Sequence, residues 1–526
     1  MLIRCALSIA LVGGAIALTL YLTNPPRAVG ESAPATEFSA ARALNHLSVI
    51  AARPHPTGSA EHGLVSDYLL RELSQLNGPP EIQNSRSDAT NSLRNIMARV
   101  KGSDSSGGAL MLVAHYDSVP TSPGASDDGS GVVTLLETLR ALKAGPPLQH
   151  DVIFLFTDGE ELDTLGARAF VDEHPWAKDV KLVLNFEARG SSGPVFMFET
   201  SKSNGKLIEE FARVAPRPFT NSLMNQLYGL MGNVTDLTVF KQAGLAGLNF
   251  AYIGSGWNYH NPGDNISNAD ARSIQHHGSY ALSLARHFGN LDLRNLEAPD
   301  EIYFDVLGHK VFSYPRSWNL VLTIMLVLLA LGVMALGVGF GQVSFSGLAW
   351  GMVWYVAISA CALLVTTLLA MVLPAAGPGA VYACWVLLLV AGLIVLVGYV
   401  GATRRIKVHE LSAGVLLVLL LLAVVVDLAL PEGSFLLTWP LAFSLIALGL
   451  SFSVPARLSS SIGFLLVIGF CSLPGIILFT QMLHNLFQGF SLTAPYVLVG
   501  LEMLLLGLLT TFLPDGPDGF HFNSHR

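Results

Sequence analysis

Cysteine is scarce and badly placed for chemistry. The chain has only four, Cys5, Cys361, Cys384 and Cys471, and each lies in a strongly apolar stretch. Its polar part therefore offers neither a disulfide nor a thiolate ligand, and any metal site there is restricted to histidine and carboxylate donors. Charge is also sparse. Only 13% of residues are Asp, Glu, Lys or Arg, the formal net charge is −8, and no basic stripe is interleaved with aromatics. Nucleic acid is thereby disfavoured as a partner.

Apolar residues are what the chain has in excess: 51% of its 526 residues, with a mean hydropathy of +0.51. That is too long for one ordinary domain and too apolar for a soluble protein. We divide the chain into an N-terminal transmembrane anchor (1–30), a soluble domain (31–300), a linker (301–316) and a transmembrane domain (317–526) ending in a short polar tail. The first apolar run, Leu2 to Leu22, exceeds the usual core of a signal peptide and lacks a small-x-small cleavage site, so it is expected to remain as an anchor. The C-terminal part contains seven apolar runs near bilayer length, at about 319–340, 348–373, 379–400, 411–430, 435–452, 462–480 and 496–513. Pro440 and Pro474 interrupt two of them.

Short basic loops set orientation. With the N-terminus cytoplasmic, Arg4, the loop of Arg404, Arg405 and Lys407, and the loop of Arg457 all fall on the cytoplasmic side. The soluble domain then lies on the non-cytoplasmic side, facing the periplasm, exterior or lumen. Asp427 and Glu502 are carboxylates within spans, where water contact or helix pairing is the expected role.

The soluble domain alternates strands and helices. Strands are expected at Leu110–Ala114, Val152–Phe156, Lys181–Phe186, Val195–Phe198 and Gly247–Tyr252. Helices are expected over 40–52, 61–73, 132–142, 206–214, 236–242 and 269–288. This spacing indicates βαβ units and a mostly parallel mixed sheet flanked by helices. In such α/β sheets, ligands collect outside the carboxyl ends of the strands.

The polar motifs of this domain sit at those ends. His115-Tyr-Asp117 follows the first strand, and Asp127-Asp128-Gly-Ser-Gly131 lies in the glycine-rich loop after it. Glu160-Glu161 follows the second strand, Glu187-Ala-Arg-Gly190 the third, and Tyr259-His260 the last. A hydrolytic metal site needs such donors with open coordination positions and a carboxylate nearby to take a proton. Asp117 can orient a metal-bound His115, and Asp264 is a candidate to do the same for His260. Singly, each motif has an ordinary explanation: His115 as a satisfied structural histidine, Asp127-Asp128-Gly129 as a turn, Glu160-Glu161 as the acidic first turn of a helix. Rival histidines lie elsewhere, His276 and His277 within a helix, His521 and His525 in the polar tail.

Taken together over roughly residues 38 to 290, the five motifs resemble the co-catalytic zinc aminopeptidases of metallopeptidase family twenty-eight. The layout of anchor, peptidase and several spans, with a linker motif Tyr303-Phe-Asp-Val-Leu-Gly308, is similar to the membrane-bound branch typified by endoplasmic reticulum metallopeptidase and the vacuolar membrane protease. The resemblance implies a zinc exopeptidase fold and two zinc ions per catalytic domain. His115 and Glu187 would hold one ion, Glu161 and His260 the other, and Asp127 would bridge them. Glu160 would be the general base, and Asp117 would fix the tautomer of His115. The implied function is a multi-pass membrane aminopeptidase acting on peptides, with the lipid bilayer as its other partner and its oligomeric state open. Glu187 stands where many soluble relatives have Asp, which bears on metal affinity. A single-zinc glutaminyl cyclase, a non-catalytic receptor or scaffold on the same fold, and a transporter remain as alternative readings. Keeping both His115 and Glu187 disfavours the first, retention of every ligand the second, and uniformly apolar spans the third.

Overall fold

The computed structural model describes residues 2–86, 93–374, 377–455, 458, 461–490 and 495–512. Arg457, His521 and His525 lie outside the described residues. The chain divides into two compact units, Asn24–Pro315 and a second made of Met1–Thr23 with Arg316–Arg526.

The second unit begins with the apolar helix α1 (Leu2–Leu22). In the first unit, α2 (Ala40–Ile50), α3 (Ala60–Asn77), β1 (Glu81–Ser85), β2 (Leu93–Val100), β3 (Ala109–His115), α4 (Gly129–Lys143) and β4 (Asp151–Thr157) come first. They are followed by α5 (Leu165–Glu173), β5 (Val180–Ala188), β6 (Ser192–Thr200), α6 (Gly205–Val214), α7 (Ser222–Met231) and α8 (Asp236–Gln242). The unit closes with β7 (Ala246–Gly254), α9 (Ala271–Phe288), β8 (Glu301–Val306) and β9 (Lys310–Pro315).

Seven strands form one sheet in the order β1-β2-β4-β3-β5-β7-β6. The central run β4, β3, β5, β7 is parallel, and β2 and β6 flank it antiparallel. Every residue of β3 and of β4 is buried, as expected of parallel strands covered on both faces. The period of two divides their side chains between two cores. Leu110, Leu112 and Ala114 pack with α2, α3, α4 and α9, whereas Met111 and Val113 pack with Phe170 of α5 and Phe240 of α8. From β3 the chain crosses to β4 on one side, and from β5 it continues to the other, so the switch point falls between β3 and β5. The carboxyl ends of those two strands carry His115 and Glu187.

Several elements escape sequence inspection. Edge strand β1 is mostly exposed and lacks apolar alternation, and β2 buries Asn95, whose amide donates to Gln83 Oε1 and the Gly166 carbonyl. The expected linker folds as the β8–β9 hairpin, turned by Leu307 (φ 58) and Gly308 (φ 62). Asp305 ties it to the first unit, because its Oδ1 accepts from Thr220 N–H and its own N–H donates to the Thr220 carbonyl.

In the other unit, seven helices are long and apolar enough to cross a membrane: Arg316–Gly339, Phe345–Ala370, Gly379–Thr403, Val408–Ala429, Phe435–Ser453, Ile462–Gln488 and Pro495–Phe512. Pro440 and Pro474 lie inside continuous helices. The Thr323 hydroxyl donates to Asp427 Oδ2 at 3.0 Å, which ties the first of these helices to the fourth.

The rival histidines of α9 have structural roles. His276 Nδ1 accepts from Val195 N–H at 3.0 Å and its Nε2 donates to the Arg217 carbonyl at 3.1 Å, which fixes a neutral tautomer. His277 packs against Phe186 and Tyr252. Burial pushes both imidazoles down to about 3. An unfolded histidine titrates near ~6.5, so below that pH the unfolded chain binds protons that the folded chain refuses. Stability is therefore complete above ~6.5 and falls as pH drops toward the folded values, by about 1.4 kcal/mol per pH unit for each histidine. Thermal unfolding of the unit Asn24–Pro315, followed in the full chain, should shift to lower temperature as the pH is lowered through this window. His277→Leu should make that dependence shallower; an identical slope would contradict the assignment.

Candidate metal centre

Four strand ends deliver the polar residues to one place. His115 is the last residue of β3 and is almost fully buried. Its Nε2 lies 3.3 Å from Asp127 Oδ1 and 3.6 Å from Glu187 Oε2. Asp127 turns its other oxygen away from this group, so that Oδ2 lies 3.1 Å from His260 Nε2. His260 Nε2 is in turn 3.1 Å from Glu161 Oε1. One carboxylate thus faces two donor groups with separate oxygens, the geometry of a bridge between two cations.

These donors fit a metal better than they fit one another. Asp127 Oδ2, Glu161 Oε1 and His260 Nε2 are buried and close together, yet none has hydrogen-bond geometry with any partner. Buried polar atoms left in that condition are costly unless something else satisfies them. Ligand atoms of His115, Asp127 and Glu161 lie within 4.8 Å of one another, and so do those of His115, Asp128 and Glu187. Asp128 is the residue that sequence reasoning left as a turn. Its Oδ1 accepts from Gly131 N–H and caps α4, while its Oδ2 is buried without a partner.

The supporting contacts are specific. His115 Nδ1 sits 3.1 Å from the Asp117 carbonyl and 3.5 Å from Asp117 Oδ1, which leaves Nε2 for the centre. The same Asp117 carboxylate accepts from the N–H groups of Glu160 (3.1 Å) and Glu161 (3.2 Å) and from the Thr57 hydroxyl (3.3 Å). It therefore positions the first-motif histidine and the paired glutamates at once. Gly159 permits that turn with φ +69, and a Cβ there would stand 2.8 Å from Leu93 Cδ1. Glu160 and Glu161 occupy this turn and not a helix, since α5 begins only at Leu165. Glu187 Oε1 accepts from Asn185 Nδ2 (3.0 Å), which also donates to Asn249 Oδ1 (3.1 Å). That leaves Glu187 Oε2 directed at His115.

Asp264 does not serve His260 as expected. Its carboxylate accepts from Ser126 N–H at 2.7 Å and Asp127 N–H at 3.1 Å, because the turn after His260 carries it beneath the glycine-rich loop. Its effect is to hold the backbone of Asp127 in place. His260 itself has φ 57, and its carbonyl accepts from the Thr121 hydroxyl at 2.9 Å. Backbone in that region is uncommon for a residue with a side chain and is held by its surroundings.

Electrostatics describe a cluster that lacks positive charge. Burial alone would lower His115, but Asp117, Asp127, Glu160 and Glu187 hold it well above the ordinary histidine value. His260 is likewise lowered by burial and raised further by Asp127 and Glu161, to about 10. Burial, with the charges of Asp127 and Asp236, pushes Glu187 up to about 8 against the pull of His115. Glu160 is pushed well up by burial and by Glu187, Asp236 and Glu161, again against His115. Acids and imidazoles that both retain protons are groups from which a bound cation would displace them.

Because Asp117 fixes both His115 and the turn of Glu160 and Glu161, Asp117→Asn should weaken metal binding by about 10- to 100-fold. Competition against a chelator measures this directly; unchanged affinity would show that the carboxylate is dispensable.

Residues 95–285 match the model of Peptidase family M28. The chain is 30% identical to Endoplasmic reticulum metallopeptidase 1 of Mus musculus over 323 residues, 56% of this chain and 36% of that protein. It is 34% identical to Vacuolar membrane protease of Candida tropicalis over 299 residues, 54% of this chain and 32% of that protein. The chain thus matches about a third of the length of these curated relatives. Among solved structures it is similar to a glutaminyl cyclase of Porphyromonas gingivalis, at 23% identity and a TM-score of 0.38, over 46% of this chain and 95% of that one. Residues 95–285 thus match peptidase family M28, and the chain that carries them is similar in sequence to Endoplasmic reticulum metallopeptidase 1 and Vacuolar membrane protease.

Proposed function

We propose that this chain is a multi-pass membrane zinc exopeptidase, an aminopeptidase that removes N-terminal residues from peptides. The observation that carries the reading is Asp127, whose two oxygens face two donor groups, His115 with Glu187 and Glu161 with His260. That arrangement favours two ions over one, and so favours a peptidase over a single-zinc cyclase. Zinc held by these residues supplies Lewis acidity toward the scissile carbonyl and acidifies water.

The remaining work falls to side chains of the chain itself. Glu160 accepts a proton from the attacking water and returns it to the leaving amine. Burial and the neighbouring carboxylates raise its proton affinity, which suits a group that must hold a proton transiently. Asp117 keeps the Glu160 backbone in place and His115 in the tautomer that presents Nε2. Thr57 and the buried Asp158 support Asp117 from behind, since the Thr57 hydroxyl bonds both carboxylates.

The basic residues Arg404, Arg405 and Lys407, between the third and fourth spans, support a topology with the peptidase domain on the non-cytoplasmic side. A reporter fused after Ile406 should be active only on the cytoplasmic face; activity on the opposite face would reverse the assignment.

Metal content and hydrolysis of aminoacyl and dipeptide amides test the activity. Wild type should carry two zinc ions per chain, and Glu160→Ala should keep them while losing about 10²- to 10⁴-fold in kcat. A metal-loaded wild type without peptidase activity would favour cyclase chemistry or a binding role.

A further inference from the structure

Arg189 stands two residues beyond Glu187 at the carboxyl end of β5 and is exposed. Among the described residues its side chain makes no ion pair or hydrogen bond, although the neighbouring site is crowded with carboxylates. Its guanidinium carbon lies over the Tyr259 ring, 5.6 Å from the centroid. Tyr259 in turn stacks on His260, with ring centroids 3.8 Å apart and planes 19° from parallel. The guanidinium is thus held at the rim of the metal centre, one stacked ring from a proposed ligand.

The backbone that carries Arg189 is fixed to the segment that carries Tyr259. Arg189 N–H donates to the Tyr252 carbonyl (3.0 Å) and Ser191 N–H to the Gly254 carbonyl (2.8 Å). Asn258, next to Tyr259, donates from Nδ2 to Ser191 Oγ at 2.7 Å. Gly190 permits this close approach, since a Cβ there would stand 2.2 Å from the Gly254 carbonyl oxygen. The short connection after β5 that carries the cation is thereby tied by hydrogen bonds to β7 and to the segment of Tyr259.

We propose that Arg189 binds a carboxylate of the substrate and sets a preference for short or acidic peptides. The inference rests on the peptidase reading above and deepens it by naming a substrate class. A guanidinium stacked on a phenol ring keeps its coplanar N–H fork available, the geometry that matches a carboxylate bidentately. Consecutive residues of a peptide are spaced about 3.8 Å apart, so a carboxylate on the residue after the scissile bond comes within the reach spanned by Tyr259 and His260. That carboxylate has two possible sources, the free C-terminus of a dipeptide or an acidic side chain.

Equilibrium binding to the zinc-loaded full chain in detergent separates them. The Glu160→Gln background removes turnover, and each probe is paired with its uncharged counterpart: Ala-Ala with Ala-Ala-amide, and Ala-Glu-amide with Ala-Gln-amide. The expected result is a preference of about tenfold or more for the charged member of at least one pair. Adding Arg189→Met should abolish that preference, while Arg189→Lys should keep part of it. The pair that responds identifies the source of the carboxylate. Absence of any preference, or a preference that survives Arg189→Met, overturns the proposal. Hydrolysis of alanyl anilide by the wild type, which involves no carboxylate, judges the peptidase reading separately, so each idea fails on its own measurement.

Discussion

The site depends on the placement of a single carboxylate. Asp127 presents Oδ1 to His115 and Oδ2 to His260, and neither donor group is complete without it. A side chain that must serve both sides can tolerate little rotation. The structure constrains it from below: Asp264 takes the backbone N–H groups of Ser126 and Asp127, and Asp128 caps the helix that follows. Two aspartates are thus used to orient a third.

A second shared carboxylate organises the other half. Asp117 contacts His115, Glu160, Glu161 and Thr57, so the strand end β3, the turn after β4 and the segment before α3 meet on two oxygen atoms. Asn185 and Asn249 carry the same logic beneath Glu187, handing hydrogen bonds from strand to strand so that one glutamate oxygen remains directed at the centre. Buried polar networks of this kind are tolerable only when nearly every member is satisfied. Four of the buried atoms left without a hydrogen bond, Asp127 Oδ2, Glu161 Oε1, His260 Nε2 and Asp128 Oδ2, lie around the centre. Their shared deficiency is of positive charge, which is why burial and mutual repulsion raise Glu160, Glu161 and Glu187 while carboxylates raise His115 and His260.

The two units are built on different solvent logic. In the unit Asn24–Pro315 the parallel centre of the sheet, buried on both faces, sorts its side chains by alternation into two cores. In the other, seven apolar helices leave large side chains such as Leu328, Leu389 and Phe470 exposed, as suits contact with lipid. Some polar contacts there join helices, as Thr323 does with Asp427.

Long apolar runs and strand-end motifs were legible in the amino-acid sequence because both are local. The seven spans, strands β3, β4, β5 and β7, and the histidines and acids at their ends follow from hydropathy and periodicity. Edge strand β1, helix α7 and the β8–β9 hairpin were not legible, because they are specified by partners distant in the chain, such as β2 for β1 and Thr220 for Asp305. The same division runs through the site. Residue types and their order were determined locally, as His115, Asp127, Glu161, Glu187 and His260 illustrate. Which oxygen faces which neighbour, that Asp264 supports Asp127 instead of His260, that Asp128 joins the cluster, and that Arg189 lies over Tyr259 were decided only when the sheet brought separate strand ends together, because hydrogen-bond direction and charge balance depend on neighbours that no stretch of sequence contains.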